Sequence, residues 1–150
     1  MVRSIRIILM HELGHFFCAK ELGYNPRITF DIEGRNFYNT FESRDDIPKE
    51  IDLKNQAIIT CGGMAAEEIF GKESEGFWGD VAHLFEVLKE LAAISGKQFP
   101  YEKPFSMEAK VYAEYYDQAK KLLEKIGGKD RLEYVTDFML DKYQIVDKEF

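Results

Sequence analysis

Three side chains in the apolar segment IRIILMHELGHFFCAKELG, residues 5–23, have the types and spacing to bind and use a metal ion. His11 and His15 are four residues apart, so on a helix they project from one face and can bind the same cation. Glu12 stands between them, as in the HExxH arrangement, where this glutamate takes a proton from a metal-activated water. Two imidazoles and a carboxylate in an apolar helix are costly unless they are paired, and metal coordination supplies the pairing.

A catalytic zinc site needs a third protein ligand, with water in the fourth position. A third histidine six residues after His15 is excluded, because position 21 is Glu21. Asp80 is predicted to open a helix on the face of its apolar residues, so its carboxylate should point inward. Alternatively, Asp80 is only the N-cap of that helix, and the spacing leaves both interpretations open. The other candidates are the only further histidine and three carboxylates: His83, Glu33, Glu67 and Glu68.

The elements that must position these residues are mainly helical. Hydrophobic periodicity predicts helices over about 3–22, 53–70, 80–95 and 107–143, the last broken at Gly127–Gly128. Alternating residues predict a hairpin of strands 27–33 and 37–41 around a turn at 34–36, followed by a polar loop over 43–50. We therefore expect a mainly α fold with one small β-hairpin, in a single domain over residues 1–150.

The second predicted helix contains the run CGGMAAEE, residues 61–68. A glycine inside a helix costs roughly 1 kcal/mol relative to alanine. A helix that keeps both Gly62 and Gly63 is expected to have another helix very close to its backbone.

Composition limits the classes of function. The net charge of −7 argues against nucleic-acid binding, which needs a basic surface. No apolar run approaches the roughly 20 residues of a membrane span, and the N-terminal segment lacks the features of a signal peptide. Cys18 and Cys61 lie in apolar helical segments, so we expect free buried thiols and a cytoplasmic location.

Three motifs resemble the peptidase domain of the FtsH family of zinc proteases. In order along the chain, they are HELGH, GGMAAEEIFG and an acidic residue that opens the next helix. The C-terminal run YAEYYDQAKKLLEKIGGKDRLEYVTDFMLDKYQI resembles the last two helices of that family. The resemblance implies that His11, His15 and Asp80 bind Zn²⁺ and that Glu12 is the general base. It also implies a mainly helical peptidase fold and favours Asp80 over the other third ligands.

The sequence departs from the family pattern at several points. Met64 replaces an arginine in the glycine-rich helix, and the bulky Phe16, Phe77 and Trp78 could narrow the cleft. No GxxxxGK[ST] phosphate loop and no membrane anchor are found in the chain. We therefore expect an ATP-independent enzyme that acts on peptides or unstructured segments, or on substrates supplied by a separate ATPase or adaptor. The family also implies homo-oligomers.

Three further residues have two interpretations each. Glu67 and Glu68 could hydrogen-bond the outer nitrogen of a zinc-binding histidine, or could be structural and solvated helix charges. His83 could orient Asp80 or stabilise an oxyanion, or could be a partly exposed helix histidine. The hairpin edge could bind a peptide by strand addition.

Two other functions fit the same residues. One is a catalytically inactive module that keeps the peptidase fold for binding or assembly. The other is an HExxH peptidase of a different family that cleaves a regulator protein, with a Glu or His as its third ligand.

Overall fold

The computed structural model describes residues 4–31, 36–71 and 78–143, apart from the side chains of Asn36 and Trp78. Within these ranges the chain forms helices and one strand pair, which confirms the predicted mainly α fold with a small β-hairpin. The elements are α1 Ile5–Glu21, β1 Arg27–Asp31, β2 Asn36–Thr40, α2 Lys49–Ile69, α3 Trp78–Ile94, α4 Ala113–Lys125 and α5 Gly128–Lys142.

Helix α1 lies in the core and crosses α2 at backbone contact. Its N-cap is Ser4, whose hydroxyl accepts a hydrogen bond from the backbone N–H of Ile7 at 3.2 Å. A Cβ atom placed on Gly14 would lie 2.1 Å from the carbonyl oxygen of Gly62. No larger residue fits at this crossing, which confirms the close approach predicted from the paired glycines.

Helix α2 is the central element and packs against α1, α3 and α4. It begins at Lys49, so the predicted start near residue 53 and the polar loop through residue 50 are wrong. Pro48 has no N–H to donate and precedes the first turn, where Glu50 and Asp52 face the positive end of the helix dipole. These residues look like a loop by polarity but are typical of a helix N-terminus.

The C-terminal third of the chain, predicted as helical over 107–143, differs from that prediction at its N-terminal end. Residues 107–112 are not α-helical, because Met107 is buried with an extended backbone and a 3₁₀ turn follows at Ala109–Val111. Helix α4 therefore begins at Ala113. The predicted break is confirmed, since α4 ends at Lys125 and α5 begins at Gly128.

The β-hairpin lies against α1. Its strands are antiparallel, with Thr29 opposite Tyr38 and Phe30 opposite Phe37. β1 is described as far as Asp31, and β2 has the predicted length of five residues but begins one residue earlier, at Asn36. Residues 32–35, including Glu33 and most of the predicted turn, lie outside the described part of the chain. The Asn39 side-chain amide donates to the backbone carbonyl of Glu12 at 3.2 Å. The second strand is thus fixed beside the HExxH segment.

Two further predictions concern the cysteines and membrane-spanning segments. Cys18 and Cys61 are free and buried, as predicted. Among the described helices, none has the length and apolar character that crossing a membrane requires.

Candidate metal centre

Three potential metal ligands from two helices converge at one point. His11 Nε2 on α1 lies 2.7 Å from Asp80 Oδ2 on α3. His15 Nε2 lies 3.1 Å from His11 Nε2 and 3.2 Å from the same Asp80 oxygen. The two histidines are 4 % and 9 % exposed, whereas the Asp80 side chain is 27 % exposed, so the cluster is buried on its histidine side and reaches the surface at Asp80.

These distances fit a tetrahedral zinc ion. Bond lengths of about 2.0–2.2 Å to nitrogen and oxygen place neighbouring ligand atoms roughly 3.3 Å apart in a tetrahedral site. The observed separations of 2.7, 3.1 and 3.2 Å are slightly shorter. A small outward shift would therefore accommodate the ion, and the set of two imidazoles and one carboxylate is one that zinc accepts.

The backbone of α2 orients His15. Its Nδ1 lies 2.7 Å from the carbonyl oxygen of Ile59, and only a protonated nitrogen can donate to a carbonyl. This hydrogen bond leaves Nε2 with a lone pair directed at the cluster. Zinc-binding histidines are commonly held this way through their outer nitrogen.

A buried carboxylate on α2 faces the outer nitrogen of His11. Glu67 is 1 % exposed, and its Oε2 lies 3.6 Å from His11 Nδ1. Burial alone would lower the pKa of His11, but the carboxylates of Asp80 and Glu67 outweigh it and raise this pKa from 6.5 to about 9. Glu67 thus lies on the far side of the imidazole from the ligand atoms, where it can orient the ring but not bind the same cation.

The ring of His11 lies directly over the backbone of Gly63. A Cβ atom on Gly63 would be 2.4 Å from His11 Nε2 and would overlap the imidazole. The two glycines of α2 therefore have different neighbours: Gly62 admits the backbone of α1, and Gly63 admits the imidazole ring of His11.

Asp80 occupies the first turn of α3. The helix begins at Trp78, so Asp80 is not its N-cap. Its side chain is 27 % exposed and reaches both histidines. Burial would raise the pKa of the Asp80 carboxyl, but the hydrogen bonds with His11 and His15 outweigh it and hold this pKa well below its usual range. The carboxylate is therefore ionised, as a metal ligand must be.

Glu12 is half-buried and lies in a cleft of about 440 Å³ beside the ligand atoms. Potential ligand atoms of Glu12 and the two histidines all lie within 4.8 Å of one another. The cleft joins α1, β2, α2 and α3, and its described lining is Glu12, His15, Asn39, Thr40, Phe41, Ser43, Gln56, Ile59, Thr60, Asp80 and His83.

Other predicted site residues have different positions. The Glu68 carboxylate accepts a hydrogen bond from Tyr116 on α4, so its described contact is with a neighbouring helix. His83 is exposed at the cleft. Phe16 packs edge to face on Phe17 and is not among the described lining residues. Phe77 and the side chain of Trp78 lie outside the described part of the chain.

Two contributors were not predicted from the sequence. The Ile59 carbonyl has no side-chain signature, because any residue supplies a backbone oxygen. Asn39 had no distinctive signal, since β2 also contains the polar residues Asn36 and Thr40. Only the folded chain identifies Glu12 as its neighbour.

No protein-family model matches the chain, and no curated protein matches it.

Proposed function

We propose that this protein is a zinc-dependent metallopeptidase that resembles the FtsH-type peptidase domain and hydrolyses peptide bonds in peptides or unstructured protein segments. The main support is the convergence of His11 Nε2, His15 Nε2 and Asp80 Oδ2 within 3.2 Å. Glu12 lies in the same cleft, where a general base is required.

His11, His15 and Asp80 would hold the ion, and His11 and His15 are themselves oriented by Glu67 and the α2 backbone. When bound, zinc would be a Lewis acid that polarises a peptide carbonyl and lowers the pKa of water toward neutrality. Glu12 accepts a proton as the water oxygen forms a bond to the carbonyl carbon. It returns that proton to the leaving amine when the C–N bond breaks. Glu12 therefore ends each cycle in its starting ionisation state.

The second strand offers a surface for an extended substrate. Asn39 and Thr40 of β2 and the following Phe41 line the cleft. Among the described residues, β2 pairs only with β1, so its other edge is not joined to a further strand. A peptide could hydrogen-bond along that edge with its scissile bond near Glu12.

The proposal extends to partners and location. The proposed substrates are peptides and unstructured segments, in keeping with the resemblance to a peptidase domain. A separate ATPase or adaptor would widen this range, and homo-oligomers follow from the family resemblance. The two free, buried thiols support a reducing cytoplasm.

Metal content tests the site. Elemental mass spectrometry of protein purified without tag-derived metal or chelator should find about one zinc per chain in the wild type, and none in His15→Ala. Wild-type protein that binds no zinc, even after zinc is added, would remove the basis of the enzyme proposal. Asp80→Ala separates the rival peptidase family, because unchanged zinc affinity would exclude Asp80 as the third ligand.

Glu12→Gln tests the chemistry. This variant should keep its zinc and lose about 10³-fold or more in kcat on a quenched fluorescent peptide library, because the amide cannot accept the water proton. A zinc-loaded wild type that cleaves no peptide in the library would instead favour the inactive binding module.

A further inference from the structure

His83 has no described structural partner in the fold. It is exposed on α3 one turn after Asp80 and lines the cleft that contains Glu12. Side chains three residues apart on a helix are neighbours, with Cβ atoms about 5–6 Å apart. His83 therefore lies next to the ligand-bearing turn, on the cleft wall formed by α3, whereas Glu12 lies on the wall formed by α1.

The other nitrogen-bearing side chains of the described lining are already hydrogen-bonded to protein. Asn39 donates to the Glu12 carbonyl at 3.2 Å, and Gln56 donates to Asp52 at 2.9 Å. His15 is bonded to Ile59 through one nitrogen and faces the cluster with the other. Among these residues, His83 alone has a ring nitrogen free to donate to a bound substrate.

The proposed reaction can use such a donor in addition to the metal ion that polarises the carbonyl. When the water oxygen bonds to the peptide carbon, the carbonyl electron pair moves onto the carbonyl oxygen and gives it negative charge. Glu12 and Asp80 are acidic groups in the same cleft and cannot stabilise that charge. An N–H group on the wall of the cleft can stabilise it without taking part in proton transfer.

We propose that His83 is a catalytic residue that donates a hydrogen bond to the developing oxyanion of the substrate. This role rests on the proposed peptidase function. His83 keeps its proton throughout, and Glu12 carries the proton from water to the leaving amine. The interaction forms as charge develops, so it should raise kcat and have little effect on KM.

Kinetics of His83→Ala test the role. We expect kcat to fall about 10²- to 10³-fold, with KM changed less than about threefold and zinc content unchanged. His83→Gln retains an N–H donor and should recover about tenfold or more of the loss. The matched control is Glu86→Ala, one turn further along α3, where an exposed side chain lies outside the described cleft lining.

Inhibitor binding gives a second readout that does not depend on turnover. A phosphinic peptide carries negative oxygen where the reacting carbonyl would be. Calorimetry should find its affinity for zinc-loaded His83→Ala reduced by about the same factor as kcat. Binding of an uncleaved peptide, measured in a Glu12→Gln background, should be unaffected.

The outcomes separate this role from the proposed function. An active wild type with unchanged kcat and unchanged phosphinate affinity in His83→Ala would overturn the role of His83 and leave the peptidase proposal intact. Loss of zinc in His83→Ala would also overturn it, because the residue would then support the metal site. A zinc-loaded wild type that cleaves no peptide would overturn both.

Discussion

Two buried polar clusters of this protein differ in whether their polar atoms are hydrogen-bonded to surrounding donors or converge on one point. The histidine cluster consists of His11, His15, Glu67 and Asp80. The Asp52 network lies at the other end of α2, where a carboxylate that is 1 % exposed is surrounded by hydrogen-bond donors. Both clusters place an ionisable group in the core, but only the histidine cluster arranges its polar atoms around a single point.

The Asp52 network is closed by donors from the protein itself. Tyr24 donates its hydroxyl to Asp52 Oδ1, and the backbone N–H of Arg44 approaches the same oxygen at 3.4 Å. Gln56 donates to Oδ2 at 2.9 Å. The network joins the end of α1, the loop before α2 and the first turn of α2, so its role is structural.

In the histidine cluster, three potential ligand atoms face one another. The three ligand atoms lie within 3.2 Å, and no further described side chain donates a hydrogen bond into the space between them. Protons or a cation must bring these atoms together, because acceptors at this distance repel. A buried carboxylate that is bonded to donors has a structural role, whereas potential ligand atoms that converge on one point are the arrangement that a metal site requires.

The largest expected difference between the two clusters is in how zinc affects thermal stability. If zinc binds only the folded histidine cluster, a free concentration about 1,000 times Kd stabilises the fold by about 4 kcal/mol. For a chain of this length, that corresponds to a rise of roughly 8–16 °C in Tm. Thermal unfolding with zinc and with chelator measures it, and His15→Ala should show no rise. An equal zinc-dependent rise in that variant would place the binding site elsewhere.

Truncation of the Asp52 network should affect folding alone. Asp52→Ala leaves the donors of Tyr24 and Gln56 buried without their acceptor, at a cost of roughly 2–4 kcal/mol in the free energy of unfolding. Urea denaturation of the metal-free protein measures this cost. Asp52→Asn keeps an acceptor oxygen and should lose less. Both variants should still bind about one zinc, and loss of zinc in either would show that the two clusters are coupled.

The pH dependence of stability should depend on whether metal is bound. The pKa of His11 in the folded, metal-free protein is raised from 6.5 to about 9, so its stabilisation is fully present below pH 6.5 and is lost as pH rises through 9. The loss is at most about 3.5 kcal/mol, since one pKa unit is worth about 1.4 kcal/mol. Chemical denaturation between pH 6.5 and 9 measures it. Zinc-loaded protein and metal-free His11→Gln should lack this loss, and a similar loss in either would exclude His11 as its cause.

The smallest predicted change is at one glycine. Gly63→Ala would place a methyl group 2.4 Å from His11 Nε2 and displace the ring. We expect zinc affinity to fall about 100-fold, at the upper end of effects from groups that orient a ligand. Competition with a chromogenic chelator measures the affinity. Gly79→Ala is the matched control, because a Cβ there meets nothing within 4 Å. Equal losses in both variants would exclude the contact with His11 as the cause.

Local sequence patterns predicted much of this fold. The period of two over residues 27–33 is typical of a strand, and β1 occupies most of it. The break at Gly127–Gly128 was also predicted, because paired glycines disfavour a continuous helix. The boundaries near Lys49 and Ala113 were not predicted. In those segments a buried side chain, Asp52 or Met107, depends on distant parts of the chain.

The sequence by itself determined that His11 and His15 share a helical face with Glu12 beside them, because spacing along one helix fixes which side chains are neighbours. It also determined that α2 must admit something close to its two glycines. Only the tertiary structure decided that Asp80 reaches both histidines, that Glu67 faces the outer nitrogen of His11, and that Glu68 contacts Tyr116 instead. These contacts join different helices, and their distances depend on how the helices pack, which no local pattern specifies.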